Sequence, residues 1–338
     1  MKKYLLAMAI VFIALAAWVV VNVRKMTAPS PIFRRPARGA PRPGLSNRVI
    51  LSGGQPRGYW LFVPHGYYPS ASIPLVISLH GYSSSAGGQR YLSRWEKLAE
   101  KENFCVVYPQ GTGKPLRWNS SNFFGPAQVD DVAFMRDLLA DLQHWLSIDS
   151  RRIYVNGMSN GGTMTARLAS EMADVFAAVG IVSGPPSDPP GGFQSLRPVP
   201  LIAFYGTADP LVKYHGGTAT VSLITRLIHL QAHRATFPPV RPWIAAWAQR
   251  NGCGPVPESL PTCGDVTGER YTGSQPASEV VFYTISGGGH TWPGGSPIPV
   301  GKTSRSIDAT AEMWAFFKAH VEELETARPG LPGPGWEG

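Results

Sequence analysis

A glycine-rich hexapeptide at residues 157–162, Gly-Met-Ser-Asn-Gly-Gly, constrains the fold more than any other stretch of this 338-residue chain. The apolar run at residues 153–155 is typical of a strand, whereas the apolar residues within 163–172 recur at helical spacing. A G-x-S-x-G sequence between a strand and a helix is typical of a sharp turn that exposes the serine hydroxyl at a sheet edge. Gly157 and Gly161 would let the strand and the helix approach closely. Since the chain has 37 glycines, an ordinary turn that contains a serine is the alternative.

Apolar runs typical of strands alternate with helical patterns from about residue 47 onward. This alternation predicts an α/β fold in which a mostly parallel central sheet is flanked by helices. Strands are predicted at 59–63, 75–79, 104–108, 153–155, 177–182, 200–205 and 279–285. Helices are predicted at 90–103, 129–145, 163–172 and 307–321.

Two further residues follow predicted strands at positions where a serine nucleophile needs partners. Asp209 comes after the run 200–205, although an aspartate before a proline is also a common turn residue. His290 follows the run 279–285 and three consecutive glycines, which indicate a special backbone path. An acid beside a histidine fixes its tautomer and stabilises the imidazolium that forms when it takes a serine proton. The sequence therefore predicts a catalytic triad of Ser159, His290 and Asp209.

Backbone amides near the predicted nucleophile are expected to form an oxyanion hole. The Asn160 amide lies at the start of the helix after Ser159, where the helix dipole favours negative charge. The second amide is assigned to Tyr82, in the loop that follows Leu-His-Gly at 79–81. His80 could act as a base or could hold this loop by hydrogen bonds, and its place at a strand end favours the structural role.

Aromatic and amide side chains near the predicted strand ends are candidates for substrate binding. Trp118 and Asn119 lie in the loop after the strand 104–108, where they could line a cleft or simply fix the loop. Trp292 lies two residues after His290. We therefore expect Trp118, Asn119 and Trp292 to contact substrate.

Two other segments have a structural interpretation beside a functional one. Asp130 and Asp131 open the helix 129–145 and could share proton transfer, but adjacent side chains diverge. They are therefore predicted to cap the helix and anchor the loop before it. Residues 218–237 carry apolar residues at helical spacing and could form a lid, a cleft wall or an ordinary packing helix.

The cysteines and histidines indicate no metal site. If the domain is exported, a disulfide between Cys253 and Cys263 is plausible, and Cys105 within a predicted strand is then a buried thiol. His229 and His233 have a spacing that suits a metal, but no third ligand accompanies them. We expect neither a metal nor a cofactor.

The net charge of +9 belongs to the N-terminal segment and not to a folded face. Residues 1–50 hold nine lysines or arginines and no acid, and the charges of the remaining chain balance. A nucleic-acid partner is therefore not expected, because such a partner requires a basic surface on the folded domain.

The N-terminal segment is predicted to export the rest of the chain. Residues 4–21 are almost unbroken in apolar character and are flanked by lysines and an arginine, which is typical of an uncleaved membrane anchor or of a cleaved signal peptide. The predicted organisation is an anchor or signal at 1–25, a Pro/Arg-rich linker at 26–46, a catalytic domain at 47–322 and a Pro/Gly-rich tail at 323–338.

Four of these motifs together resemble the polyhydroxybutyrate depolymerase-like esterases, which are related to feruloyl and acetylxylan esterases. The motifs are Gly-Met-Ser-Asn-Gly-Gly at 157–162, Leu-His-Gly at 79–81, Gly-Thr-Ala-Asp-Pro at 206–210 and Gly-His-Thr-Trp-Pro-Gly at 289–294. The similarity extends over residues 47–320, and the combination is more specific than any single motif.

The resemblance implies an α/β-hydrolase fold and an exported serine esterase. Ser159 would be the nucleophile, His290 the general base and then acid, and Asp209 the group that orients the histidine. The substrate would be a small, oligomeric or polymer-linked ester, and the protein is expected to be a monomer. A serine peptidase on the same fold and a catalytically dead, membrane-tethered binding protein remain as alternatives.

Overall fold

A ten-stranded sheet with helices on both faces organises the protein. The computed structural model describes residues 21, 39–121, 129–188, 192–193, 195, 197–219 and 236–321. The strands are β1 (Gly44–Ser52), β2 (Gln55–Val63), β3 (Ile73–Leu79), β4 (Cys105–Pro109), β5 (Ile148–Met158), β6 (Ala178–Val182), β7 (Leu201–Gly206), β8 (Gly217–Thr218), β9 (Thr236–Phe237), β10 (Glu258–Cys263), β11 (Val266–Tyr271) and β12 (Val280–Ile285).

Three of the helices begin where the sequence supplies a capping side chain. Ser85, Asp130 and Asp308 each accept hydrogen bonds from backbone N–H groups in the first turn of the helix that follows. The α-helices of the described residues are α1 (Ala86–Ser93), α2 (Trp95–Glu102), α3 (Asp131–Trp145), α4 (Asn160–Glu171), α5 (Val240–Arg250) and α6 (Ala309–Ala319).

The centre of the sheet is parallel and its edges are antiparallel. The order is β1-β2-β4-β3-β5-β6-β7-β12-β11-β10, and the neighbours from β4 to β12 pair in parallel. Strands β3, β4, β6 and β7 are buried throughout, as expected of strands covered on both faces. The carboxyl ends of the parallel strands therefore meet along one edge of the sheet, and the residues that follow these strands come together there.

The predicted fold class is confirmed, and each predicted strand and helix overlaps an observed one. Several details differ, and helix α5 and strands β1, β8 and β9 were not predicted. The predicted helix 90–103 is two helices, because Arg94 between them takes a left-handed conformation with φ 53°. Strand β1 begins at Gly44, inside the segment predicted to be linker. The hairpin β10–β11 was not predicted, since β10 is almost wholly exposed and lacks an apolar alternation.

The predicted Cys253–Cys263 disulfide is wrong for this structure, in which both residues are free thiols. Cys253 pairs with Gly273 at the open end of the β10–β11 hairpin, whereas Cys263 pairs with Val266 at its turn. The length of the hairpin separates them by roughly 20 Å, because each strand residue advances the chain about 3.3 Å. A disulfide needs Cα atoms within about 7 Å of each other. Cys105 is a buried thiol, and burial raises its pKa to about 12.

Several predictions fall on residues outside the described part of the chain. These are the apolar segment 4–21 apart from Val21, the tail 323–338, His229 and His233. At the base of segment 218–237, β8 and β9 pair as a short antiparallel ladder. Among the described residues, no helix combines the length and apolarity needed to cross a membrane.

Candidate active site

Ser159 stands on a sharp turn between β5 and α4. Its backbone has φ 56° and ψ −122°, a region that residues other than glycine rarely adopt. A Cβ on Gly157 would lie 2.3 Å from the Gly161 carbonyl oxygen, and one on Gly161 would lie 2.4 Å from the Leu79 carbonyl oxygen. Only glycine fits at either position. The Ser159 amide donates to the Val182 carbonyl at 2.9 Å, which holds the turn against β6.

Asp209 and His290 form a buried, hydrogen-bonded pair. The His290 Nδ1 and Asp209 Oδ2 atoms are 2.7 Å apart, and the side chains are 6% and 1% exposed. The other carboxylate oxygen, Oδ1, accepts from the amides of Leu211 and Val212 at 2.8 and 2.9 Å. Because both oxygens are held, the carboxylate can fix the tautomer in which His290 Nδ1 carries the proton. The Nε2 atom is then a base.

The glycines before His290 are needed for close backbone approach. A Cβ on Gly289 would lie 2.5 Å from the Gly301 Cα and from the Val300 carbonyl oxygen. The His290 amide donates to that same Val300 carbonyl at 2.9 Å. The loop that carries His290 is therefore fixed by the segment around residue 300, which the sequence patterns did not connect to the site.

The sheet brings the three predicted triad residues to one edge. Ser159 directly follows β5, Asp209 lies three residues after β7, and His290 lies five residues after β12. Strands β5, β6, β7 and β12 are consecutive and parallel, so these residues follow the carboxyl ends of neighbouring strands. Ligand sites of open α/β sheets lie at this edge.

The residues predicted to supply the oxyanion hole lie next to Ser159. Asn160 is the first residue of α4, where the helix itself leaves its amide without a partner. On the other side, a Cβ built on Gly81 would lie 3.3 Å from the Ser159 Cβ, so the backbone before Tyr82 runs beside the serine. Both assigned amides therefore belong to backbone segments that adjoin Ser159.

The loop that carries Tyr82 is held by its own backbone. The Ser83 amide donates to the Leu116 carbonyl at 2.8 Å, and the Ser84 amide donates to the Gly81 carbonyl at 3.1 Å. Ser83 has φ 62°, a left-handed conformation that turns the chain sharply. These contacts tie the loop after β3 to the loop after β4.

His80 holds this loop and has no ring atom available for catalysis. Its Nδ1–H donates to the Gly81 carbonyl at 2.8 Å, and its Nε2 accepts from the Gly111 amide at 2.9 Å. The ring is fully buried. Burial is the main cause that lowers its pKa to about 4, and the charge of Arg57 lowers it further. His80 is therefore neutral and holds the loop in place, which is the structural role that its position in the sequence favoured.

Protonation of His80 is expected to destabilise the fold in acid. An unfolded chain binds a proton at His80 near pH 6.5, whereas the folded chain does so only near pH 4. The stabilisation that depends on a neutral His80 is therefore complete above pH 6.5. As the pH falls toward 4, the free energy of unfolding decreases by about 3 kcal/mol on this account. Urea unfolding at pH 7 and pH 4 should show this extra loss in the wild type and not in His80→Gln. Equal losses in both proteins would contradict the buried neutral state, since the other titrating groups are shared.

Two of the three predicted substrate contacts are corrected by the structure. The Trp118 and Trp292 indoles are both 0% exposed. Trp118 Nε1–H donates to the His80 carbonyl at 2.9 Å, and Trp292 Nε1–H donates to the Thr310 hydroxyl at 3.0 Å. Indoles that point inward in this way cannot contact a substrate.

Asn119 fixes its loop instead of standing free in a cleft. Its side-chain amide donates to the Val129 carbonyl at 3.1 Å, and its backbone amide donates to Asp131 Oδ2 at 2.7 Å. The Asn119 carbonyl accepts from the Arg167 guanidinium at 2.6 Å. The loop-fixing alternative therefore describes Asn119 in this structure.

Asp130 and Asp131 act as cap and anchor. Asp130 Oδ1 accepts from the Val132 amide at 3.0 Å. Asp131 is fully buried and pairs with Arg57 at 2.6 Å, and the Arg57 guanidinium lies 3.8 Å from the centre of the Phe134 ring. Sequence reasoning missed Arg57, because a single arginine in a strand carries no local signal.

The described residues contain no cluster of three or more His, Cys, Asp or Glu that could bind a metal.

The chain is similar to known esterases in sequence. A family model described as esterase PHB depolymerase matches residues 57–186. NocK of Nocardia uniformis subsp. tsuyamanensis, an esterase by name, is 31% identical over 303 residues, which are 85% of this chain and 86% of that protein. Feruloyl esterase B of Piromyces equi is 30% identical over 240 residues, which are 67% of this chain and 41% of that protein.

The fold is similar to that of a solved esterase. The acetyl xylan esterase from Aspergillus awamori superposes with a TM-score of 0.55, and the match covers 81% of this chain and 99% of that one. At 16% identity this similarity concerns the fold alone.

Proposed function

Because this chain belongs to the esterase PHB depolymerase family and is a carboxylic ester hydrolase, we propose that it cleaves esters through an acyl-enzyme formed on Ser159. The observation that carries this proposal is the buried Asp209–His290 pair, at 2.7 Å, on the same sheet edge as the strained turn of Ser159. Hydrogen bonds fix both carboxylate oxygens of Asp209, and His290 Nδ1 is bound to one of them. His290 Nε2 can then serve as the base that a serine nucleophile needs.

In the first half of the reaction, His290 Nε2 takes the hydroxyl proton as Ser159 Oγ attacks the ester carbonyl carbon. The carbonyl oxygen becomes an oxyanion, and Asp209 stabilises the imidazolium. When the tetrahedral intermediate collapses, the bond to the alcohol oxygen breaks and His290 passes its proton to that oxygen. The alcohol leaves, and the acyl group remains on Ser159.

In the second half, water replaces the alcohol. His290 takes a proton from the water, whose oxygen attacks the acyl carbon, and then returns the proton to Ser159 Oγ as the acid leaves. In both halves the amides of Asn160 and Tyr82 donate to the oxyanion. The helix dipole of α4 adds to the effect at Asn160.

The substrate class proposed is an ester of a small or oligomeric alcohol. The relative that is named a feruloyl esterase and the PHB depolymerase family description support two acyl classes, hydroxycinnamoyl and 3-hydroxyacyl. The full chain should be assayed on p-nitrophenyl acetate to octanoate, methyl ferulate, acetylated xylan, hydroxybutyrate oligomers and a peptide amide. A preference for one ester would show which acyl group the pocket accepts. Cleavage of the peptide alone would overturn the esterase mechanism and favour a peptidase.

A fluorophosphonate probe tests the nucleophile directly, because only an activated serine reacts with it. Peptide mass spectrometry should find the probe on Ser159 after brief labelling of the full chain. Absence of labelling together with silence on the ester panel would favour a binding protein on a hydrolase scaffold.

Export is proposed from the N-terminal sequence. The apolar run 4–21 between basic residues supports an anchor that holds the catalytic domain outside the cytoplasm, with a cleaved signal peptide as the alternative. In intact cells, externally added protease should degrade the domain, and detergent but not high salt should release the full chain from membranes. Degradation only after lysis would overturn the proposal, and a mature N-terminus inside or just after the apolar run would select the signal peptide.

A further inference from the structure

A chain of buried hydrogen bonds joins the two backbone segments that carry the proposed oxyanion donors. It starts at the Asn160 side chain, whose Oδ1 accepts from the Trp118 amide at 2.7 Å and whose Nδ2 donates to the Trp118 carbonyl at 3.2 Å. The same Nδ2 donates to the Ser120 hydroxyl at 2.7 Å. All three residues are 0% exposed. The donors and the acceptor of the Asn160 amide group are thus all used to hold the segment around Trp118.

The Trp118 indole continues this chain to the second donor segment. Its Nε1–H donates to the His80 carbonyl at 2.9 Å, and the His80 ring lies 5.0 Å from the indole, centre to centre. The His80 carbonyl belongs to the peptide that leads into Gly81, two residues before the Tyr82 position. Trp118 therefore connects the two segments: its backbone binds the Asn160 side chain, and its rigid indole binds the start of the loop that carries Tyr82.

We infer that the Asn160 side chain and the Trp118 indole are positioning residues for the oxyanion hole. This inference rests on the proposed function, in which the Asn160 and Tyr82 amides are the donors. Amide donors stabilise a developing oxyanion only if their spacing is fixed before the reaction begins. Each hydrogen bond of the chain joins two different backbone segments, so together they set the separation of the two donors. Fully satisfied buried networks of this kind specify one arrangement.

Trp118→Phe tests the inference, and Trp95→Phe is its matched control. Both substitutions replace a fully buried indole by a smaller phenyl ring. They differ because the Trp118 Nε1–H donates a hydrogen bond, whereas the Trp95 Nε1 makes none within the described part of the chain. The readouts are kcat per active site titrated with fluorophosphonate, KM for p-nitrophenyl butyrate, inhibition by butylboronic acid and binding of butyrate. The boronic acid forms a tetrahedral adduct on the serine, whereas butyrate is a product.

Trp118→Phe is expected to lower kcat per titrated site by about 10- to 100-fold with little change in KM, since a loss confined to the transition state has this form. The affinity for butylboronic acid should fall by the same factor and the affinity for butyrate should not. Trp95→Phe should lower thermal stability and leave kcat per titrated site within about twofold, because it removes packing alone.

Unchanged kcat per titrated site in Trp118→Phe, or an equal loss in both variants, would overturn the inference. If Trp118→Phe does not fold, Ser120→Ala removes one acceptor from Asn160 Nδ2 and should lower kcat by at least about threefold, in line with a modest displacement of one donor. An unchanged kcat in that variant would then overturn it. A wild type that neither reacts with fluorophosphonate nor binds butylboronic acid would instead refute the proposed function itself.

Discussion

Ser159→Ala is expected to lower kcat for p-nitrophenyl butyrate by about 10⁴-fold or more, with little change in KM. Alanine removes the hydroxyl that is proposed to form the acyl-enzyme, whereas the proposed oxyanion donors would still bind substrate and orient water. The residual rate is therefore expected to exceed that of the uncatalysed reaction. Measuring kcat and KM from stopped-time assays at high enzyme concentration would resolve this residual activity.

Ser46→Ala is a matched control for this substitution. Ser46 lies on β1 at the far edge of the sheet, and its partly buried hydroxyl donates to the Leu61 carbonyl at 3.5 Å. Rates within about twofold of wild type are expected there, because surface substitutions away from the site change stability by about 0.5 kcal/mol or less. Retention of more than a tenth of the wild-type kcat in Ser159→Ala, with an unchanged far-ultraviolet spectrum, would contradict a serine nucleophile.

The parts of the site that were predictable from the sequence are those with a local signal. Ser159, Asp209 and His290 each follow an apolar run, and the geometry of a parallel sheet brings the ends of neighbouring strands together. The structure pairs His290 with Asp209, but the role of all three as a triad stays a prediction until activity is measured. Fold class was predictable for the same reason, since alternating strands and helices leave few topologies.

The parts that were not predictable depend on contacts between distant segments. Trp118 and Trp292 looked like cleft residues because both lie near strand ends, yet their indole N–H groups find partners inside the protein. Arg57 carries no sequence signal, although it anchors the buried Asp131 across 74 residues of chain. Cys253 and Cys263 are close in sequence and lie at opposite ends of a hairpin. Spacing along a chain does not determine which way a side chain faces.

Gly161→Ala is expected to cause a large loss of stability. The new Cβ would lie 2.4 Å from the Leu79 carbonyl oxygen and 2.6 Å from the His80 carbonyl oxygen. Both are backbone atoms at the carboxyl end of β3, in its last residue and the residue that follows, so they can yield only if α4 moves away from β3. We expect a loss of about 3 kcal/mol or more in the free energy of unfolding, measured by urea denaturation.

Gly87→Ala provides the comparison, since it places the same methyl group on another helical glycine. Its Cβ would meet only the Ser85 hydroxyl, at 3.8 Å, and alanine stabilises a helix by up to about 1 kcal/mol relative to glycine. We therefore expect unchanged or slightly raised stability there. If Gly161→Ala lowered the free energy of unfolding by less than about 1 kcal/mol, which is below the usual cost of overpacking, α4 and β3 would be able to separate with little loss of stability. Strain at Ser159 could not then be maintained, because a strained residue persists only where its surroundings hold it rigidly.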